Sequence, residues 1–567
     1  MAWFRRAVRS PLVWVVAGAV ILHTIGIGWG LPGSDGWDDD GVAPRDFLVG
    51  TYMAYRPGHY FTYPPLHLVI LTILTLPATL LALVRSASLS PPDVIAEITR
   101  VPYMTIFAVA ARLVTDVMAA GIVYAVASIA EELWGRRAGL WAAAVAALNT
   151  VFVYYAHTSN LDVPYLFWTL LSYLWLVRAI VRHEPTRLRG CALFAVLAIA
   201  TKDQAYASFV VALPLAVGLW VALDTRPREC VSVVREAAAS ALGAALLLAL
   251  IDGALVNPTG FVARLRFLAG PASEDHAYYA KSLAGRARVV FDAARSFGRY
   301  YPVGLVPFVL YGLGLHVTKI RGDPALRVAG LAPALGVLSF TFAFNCVARR
   351  TEPRFLLPQS IFVSLYAGAA LDSLTRPASR VKVAAWILAA LIGSRALFDC
   401  VAVDVALLRD PRYEAEAWLN ENVLPGELIE VYGNNAHLPR LPTRARVERV
   451  DPSPLSDRSP IPGMQEIEAP YADIDQRRPD WIVMSEGWSW RYQMDLRPPP
   501  GSSLVLSRVQ RAMKEDLGGR AFFASLFAGT ADYTAAHVAR YDDSLWPRVD
   551  IHSSTARTIY VFRRAGR

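Results

Sequence analysis

Three adjacent carboxylates, Asp38-Asp39-Asp40, follow the first long apolar run of the chain and precede Gly41. Like charges held side by side raise one another's pKa, and a raised carboxylate is how a general base is tuned. A solvated acidic turn has the same spelling. The loop continues through Arg45, Asp46, His59 and Tyr63-Pro64-Pro65-Leu66. Asp162 sits in His157-Thr-Ser-Asn-Leu-Asp162-Val-Pro164 between two apolar runs, and Lys202-Asp203 interrupts what is otherwise one run. Ionisable groups in such places mark functional sites, although a lysine can also snorkel from an apolar helix. Arg349-Arg350-Thr-Glu352-Pro-Arg354 directly precedes a late apolar run. Guanidinium groups so clustered suit an anionic phosphate.

Other features carry less chemistry. Arg112 and Asp116, spaced i, i+4, read as a structural pair on one helix face. Gly28-Trp-Gly30-Leu-Pro-Gly33 spells G-x-G-x-x-G, but it follows an apolar helix rather than a strand and contains Pro32, so it fails as a dinucleotide fingerprint. Segment 257–299 adds Arg264, Arg266, Lys281 and Arg286 with Tyr278-Tyr279 and Tyr300-Tyr301, the composition of an amphipathic surface helix. Its Glu274-Asp275-His276 could touch a divalent metal, yet three adjacent residues rarely share one coordination geometry; no cofactor is expected. Cys191, Cys230, Cys346 and Cys400 lie in or beside apolar runs without metal-ligand spacing and read as packed thiols.

The elements that must position these groups are membrane helices. Of 567 residues 54% are hydrophobic and 18% charged, with a mean hydropathy of +0.35. Apolar runs fall near 11–31, 64–84, 101–130, 137–156, 160–181, 190–201, 205–223, 232–256, 300–318, 326–346, 355–373 and 382–405, many approaching the ~20 residues of a membrane-spanning helix. The expected fold is a polytopic helical membrane protein of about eleven to thirteen spans. The basic start (Arg5, Arg6, Arg9) and the long first run, with no A-x-A site, fit an uncleaved first span. Basic connectors at 136–137, 178–189, 226–235, 319–327 and 376–382 recur at alternate loops, which places them in the cytoplasm and the acidic loop outside. The net charge of +9 is thereby explained by orientation and needs no nucleic acid. Parity is unresolved between 32–63 and Arg136: either 64–84 is re-entrant, or 94–111 is a separate crossing, or a span is miscounted. From about Arg409 the texture changes to charged residues, prolines and short strand-like runs, Leu428–Tyr432, Trp481–Met484 and Thr558–Phe562, with Leu438–Pro470 read as loop. Two domains follow, 1–405 in the membrane and 406–567 an extracytoplasmic α/β domain.

Together these segments resemble the GT-C glycosyltransferases of the protein O-mannosyltransferase and lipid A aminoarabinose transferase kind. Asp39-Asp40 match that family's outer acidic pair, Tyr63-Pro64-Pro65-Leu66 its Lys-Pro-Pro-Leu-like helix start, and Asp162-Val-Pro164 its Asp-x-Pro. Thr201-Lys202 match its Thr-Lys, and Glu352-Pro-Arg354-Phe355-Leu-Leu-Pro358 its Glu-Arg-Tyr-Leu-Leu-Pro. Each motif is weak alone; five in order over roughly 10–405 are more specific. Asp40 stands where the family has Glu, and Tyr63 where some members have the Lys that approaches the donor phosphate.

The resemblance implies sugar transfer from a polyprenyl-phosphate carrier to a hydroxyl of a protein, lipid or polysaccharide acceptor, outside the plasma (inner) membrane and with inversion. Asp39 or Asp40 would be the base and Asp162 its orienting partner. Lys202, Arg349, Arg350 and Arg354 would neutralise the phosphate, with Asp38, His59, Tyr63 and Glu352 lining the substrate. The rivals are a lipid-linked sugar flippase, which calls for midplane charges and repeated halves, and an oligosaccharyltransferase or polymer-ligase-like enzyme moving a larger glycan.

Overall fold

The computed structural model describes residues 10–224, 227–270, 276–319, 323–377, 380–458, 463–493, 504–506, 508–552 and 554–566. Arg5, Arg6, Arg9, Glu274 and Asp275 lie outside them. The chain forms two compact units. The first comprises 1–27, 46–74 and 110–401; the second comprises 28–45, 75–109 and 402–567.

Among the described residues seven helices are long and apolar enough to cross a membrane, and ten if each bent pair is one span. The protein is an integral membrane protein by that measure. The run at 64–84 is one of the bent pairs, Leu66–Leu74 and Leu76–Arg85, turned by 60° at Thr75 with Pro77 in the second helix's first turn. Residues 101–134 form one continuous helix, so 94–111 is not a crossing of its own; Pro91–Ile98 is a separate short helix. The runs at 11–31 and 190–201 give the helices Pro11–Thr24 and Leu188–Ile199, of 14 and 12 residues. These two account for the difference from the twelve apolar runs.

In the first unit small residues let helices approach closely, the packing mode available when lipid is as apolar as the helices themselves. Helix Leu357–Thr375 packs on Arg136–Ala147, where a Cβ on Gly368 would lie 2.5 Å from the Ala142 backbone nitrogen. Helix Pro324–Phe340 runs into a π-turn, Thr341–Asn345, and Arg349 then takes a left-handed φ of 55°. π-turns concentrate at functional sites because they re-aim side chains. Here Asn345 turns inward, donating from Nδ2 to the carbonyls of Arg350 (3.1 Å) and Phe355 (3.0 Å) and accepting from Gln359 (2.7 Å).

The second unit is built on a six-stranded sheet. Its strands are β1 (Leu428–Tyr432), β2 (Arg446–Asp451), β3 (Gln465–Glu468), β4 (Trp481–Ser485), β5 (Tyr533–Ala539) and β6 (Ile559–Arg564), in the order β3-β2-β1-β4-β6-β5. β1 pairs in parallel with β2 and β4, and β6 runs antiparallel to β4 and β5. Alternating side chains feed two cores. Ile429, Val431 and Val483 meet Ala415 and Leu419 of helix Pro411–Asn422, while Tyr432, Ile482 and Met484 meet Phe522 and Phe523. The stretch expected as loop, Leu438–Pro470, contains β2 and β3. Their charged spelling, Arg-Val-Glu-Arg-Val-Asp and Gln-Glu-Ile-Glu, hid them, because their few apolar residues are interleaved with charges, including Arg449 of β2, buried and paired with Glu466 of β3 at 2.8 Å.

Candidate functional site

Four of the five motif segments lie in the first unit, and hydrogen bonds of backbone and side chains draw them together. Tyr63-Pro-Pro-Leu delivers the Leu66 amide to the Ala200 carbonyl at 3.0 Å, immediately before Thr201-Lys202. Lys202 is extended (φ −152°, ψ 124°) between helix Leu188–Ile199 and the turn Asp203–Ser208. That turn is tied to the end of helix Pro324–Phe340 and its π-turn: Ser339 Oγ donates to Ala207 O at 2.6 Å and Tyr206 OH to Ala343 O at 2.8 Å.

Asp162 opens helix Asp162–Val181 with its side chain wholly buried. Lys202 Nζ reaches both its oxygens, at 2.8 and 2.9 Å. Gln204 Nε2 donates to Asp162 Oδ1 at 3.0 Å and to Tyr165 OH at 3.0 Å, and Arg354 interacts electrostatically with the same tyrosine. A buried charge pair of this quality holds position because losing either partner strands the other. Asp203 takes a different partner. Arg264, 1% exposed, bridges Asp203 and Asp252 and stacks 5.0 Å from the Phe61 ring.

The basic segment is folded against the loop at 276–281. Arg349 Nη1 donates to Tyr279 O at 2.9 Å, and its own carbonyl accepts from the Tyr278 amide at 3.2 Å. Arg350 Nε bonds Glu352 Oε1 at 2.8 Å, and the guanidinium groups of Arg350 and Arg354 lie 4.5 and 4.7 Å from the Phe355 ring centre. Burial pushes the Tyr278 phenol upward, reinforced by Glu352 and opposed by Arg350 and Arg354. Tyr63 is half-buried at the helix start, and His59 contributes its carbonyl, which accepts from Asn257 Nδ2 at 2.8 Å.

The acidic triplet belongs to the second unit. Asp39 is exposed, Asp38 and Asp40 half-buried. Asp40 Oδ2 lies 3.4 Å from His552 Nε2, and Arg491 interacts electrostatically with Asp39. Asp35, just upstream, pairs with Arg45 at 3.0 Å and accepts from Asn435; burial still holds its carboxyl above the usual range. Gly30 of the rejected fingerprint has a packing role: at φ +73° a Cβ there would lie 2.8 Å from the Trp37 ring. A cleft of about 730 Å³ opens beside this loop, between Ser34–Trp37, Thr99–Arg100 and Leu438–Leu441.

Sequence reasoning missed Gln204, Tyr165, Asn345 and Asp252. Gln204 carried a signal, since it extends the polar break at Lys202-Asp203 by one residue. Of the pair expected at Arg112 and Asp116, Arg112 donates to Ile27 O at 2.7 Å and Asp116 accepts from Thr24 at 3.2 Å. The cysteines among the described residues are free thiols.

Fold and site thus define a polytopic helical membrane protein carrying a buried Asp–Lys pair, an arginine cluster and a small α/β unit. No protein-family model matches the chain, and no curated protein does. Among solved structures it is similar to ArnT from Cupriavidus metallidurans bound to undecaprenyl phosphate, at 14% identity and a TM-score of 0.48 over 97% of both chains. It is also similar to the Archaeoglobus fulgidus oligosaccharyltransferase AglB in complex with an inhibitory peptide and a dolichol-phosphate, at 10% identity and TM-score 0.44 over 98% of this chain and 88% of that one. A third is the mycobacterial arabinofuranosyltransferase AftD, at 13% identity and TM-score 0.43, of which this chain spans 40%. Against the apo form of the Archaeoglobus enzyme the chain spans 63% of that protein's length.

Proposed function

We propose that this protein is a GT-C-type membrane glycosyltransferase that moves a sugar from a polyprenyl-phosphate carrier to an acceptor hydroxyl on the extracytoplasmic side, with inversion. One observation carries the reading: the Thr201-Lys202, Asp162-Val-Pro164 and Arg349–Arg354 segments, far apart in sequence, are knitted into one polar cluster at the ends of apolar helices. A phosphate leaving group gains charge as the C1–O bond breaks, so fixed cations lower the barrier. Lys202 and Arg354 serve there, with Arg349 and Arg350 bracing the segment and Glu352 holding Arg350. Asp39 or Asp40 takes the proton of the acceptor hydroxyl as its oxygen bonds C1. The C1–O electron pair leaves on the phosphate, and polyprenyl phosphate is released. Asp162 orients Lys202. His59 and Tyr63 border the donor, Asp38 the acceptor, and the cleft beside Asp35 admits the acceptor chain. The two proposed domains, 1–405 and 406–567, divide the work between membrane-embedded donor binding and outer support.

Arg354→Gln tests the phosphate role without stranding a buried carboxylate. A charged hydrogen bond contributes ~1.5–3 kcal/mol, so affinity of the purified protein for polyprenyl phosphate is expected to fall about 10–100-fold. Unchanged affinity would remove Arg354 from the site. Orientation is tested with single cysteines in a background lacking the native four. Cysteines at Ser34 and Ser453 should react with an impermeant thiol reagent in intact cells, and one at Thr186, in the basic connector, only after permeabilisation. Ser453 labelling only after permeabilisation would put the α/β unit inside and invert the map.

A further inference from the structure

The strand order of the second unit reverses direction at β1: the chain passes from β1 outward to β2 and β3, then returns to β4 on the other side. In open α/β sheets this switch point, at the carboxyl ends of the strands, is where ligands bind. In this protein the groups around it reach for the chain's own loop at 28–45. Asn435, three residues past β1, donates to Asp35. Ser554 and His552 lie shortly before β6, whose Ile559 pairs with Ser485 at the carboxyl end of β4. Ser554 Oγ donates to Trp37 O at 3.4 Å, and His552 Nε2 sits 3.4 Å from Asp40 Oδ2.

Arg412 organises the whole. Its guanidinium is 1% exposed and lies 4.1 Å from the Trp37 ring centre and 5.1 Å from that of Trp29. Arg412 Nη2 bonds Asp410 Oδ2 at 2.8 Å and Ser554 O at 3.0 Å, and Nη1 bonds Ala436 O. Trp29 Nε1 donates to the same Asp410 at 3.1 Å, and Arg440 Nη1 to Pro32 O at 2.9 Å. A surface loop rich in glycine and aspartate would otherwise wander. Here it is clamped at Trp29, Gly30, Pro32, Asp35, Trp37 and Asp40 by a domain that begins more than 350 residues later.

We propose that the α/β unit is the positioning device for the acidic loop, and that His552 is the positioning residue for Asp40. The loop fills the crevice that in a nucleotide-binding sheet would take the ligand. The domain therefore contributes rate by holding the base, with no substrate chemistry of its own at the switch point. This rests on the glycosyl-transfer reading for its effect on rate, while the holding itself is measurable without turnover.

The test uses the full-length protein in detergent or nanodiscs, as wild type and as His552→Gln and His552→Ala. Hydrogen–deuterium exchange should quicken in 33–45 for both variants, with β1–β6 unchanged. A base misplaced by about an ångström loses on the order of 10²-fold, so kcat should fall about 10–100-fold while affinity for polyprenyl phosphate stays within about twofold of wild type. Three results would overturn the proposal: unaltered exchange in 33–45, faster exchange throughout the sheet, or a loosened loop with normal kcat. If the wild type transfers no sugar from any donor, the functional reading fails, and the exchange data still decide whether His552 holds the loop.

Discussion

Replacing Asp39 or Asp40 by Asn is expected to cut turnover by ~10²–10⁴-fold, the contribution of a positioned general base, in a protein that still folds and inserts. Asn keeps the size of the side chain and removes its capacity to take a proton. Neither residue is buried, so the fold loses little. Asp40 Oδ2 is 3.4 Å from His552 Nε2, so its carboxylate has a fixed partner that orients it. The variant with the larger loss identifies the base. The other should show a smaller loss, expressed through loop order. Near-normal transfer by both single variants sinks the assignment of the acidic pair.

Removing Lys202 should act mainly through stability. Lys202→Met leaves the Asp162 carboxylate, whose side chain is fully buried, with the Gln204 amide as its remaining hydrogen-bond donor among the described residues. Breaking one partner out of a buried pair costs ~3–5 kcal/mol. Thermal unfolding of the purified protein should show a large fall in Tm for Lys202→Met. The double variant Asp162→Asn, Lys202→Met should be more stable than that single variant, because no charge is stranded. Donor use should be lost in both, since the cation is gone in both. A single variant as stable as wild type would mean that water or another cation reaches Asp162, contrary to the geometry.

Much of this arrangement was legible in the sequence, for identifiable reasons. Hydrophobic length fixes membrane helices almost irrespective of context, so most apolar runs became helices or bent helix pairs. Lys202 stood out because a charge inside an apolar run is costly and must have a partner; Asp162 is that partner. The strands β1, β4 and β6 were visible as apolar runs, whereas β2 and β3 were masked by charge. The attachment of 28–45 to the α/β unit was illegible. It depends on contacts such as Trp29–Asp410 and Asp40–His552, which join loops separated by more than 350 residues and leave no periodic trace. Arg412 illustrates the difficulty. In sequence it is one of many arginines near a domain boundary; in the fold it lies between two tryptophans and is almost fully buried. The turn at Thr75 left a trace, Pro77 in the first turn of the second helix, and re-entrance of 64–84 was one of the readings that parity allowed.

The central claim is that the donor is a lipid-linked sugar. Its most direct measurement is turnover by the purified protein of a small panel of polyprenyl-phosphate-linked hexoses and pentoses beside UDP- and GDP-sugars at equal concentration, with release of polyprenyl phosphate as the readout. At least one lipid-linked sugar should be consumed with stoichiometric release of polyprenyl phosphate, that release should be lost in the Asp39→Asn, Asp40→Asn double variant, and the nucleotide sugars should be inert. Efficient use of a nucleotide sugar, with every lipid-linked donor untouched, would contradict the account.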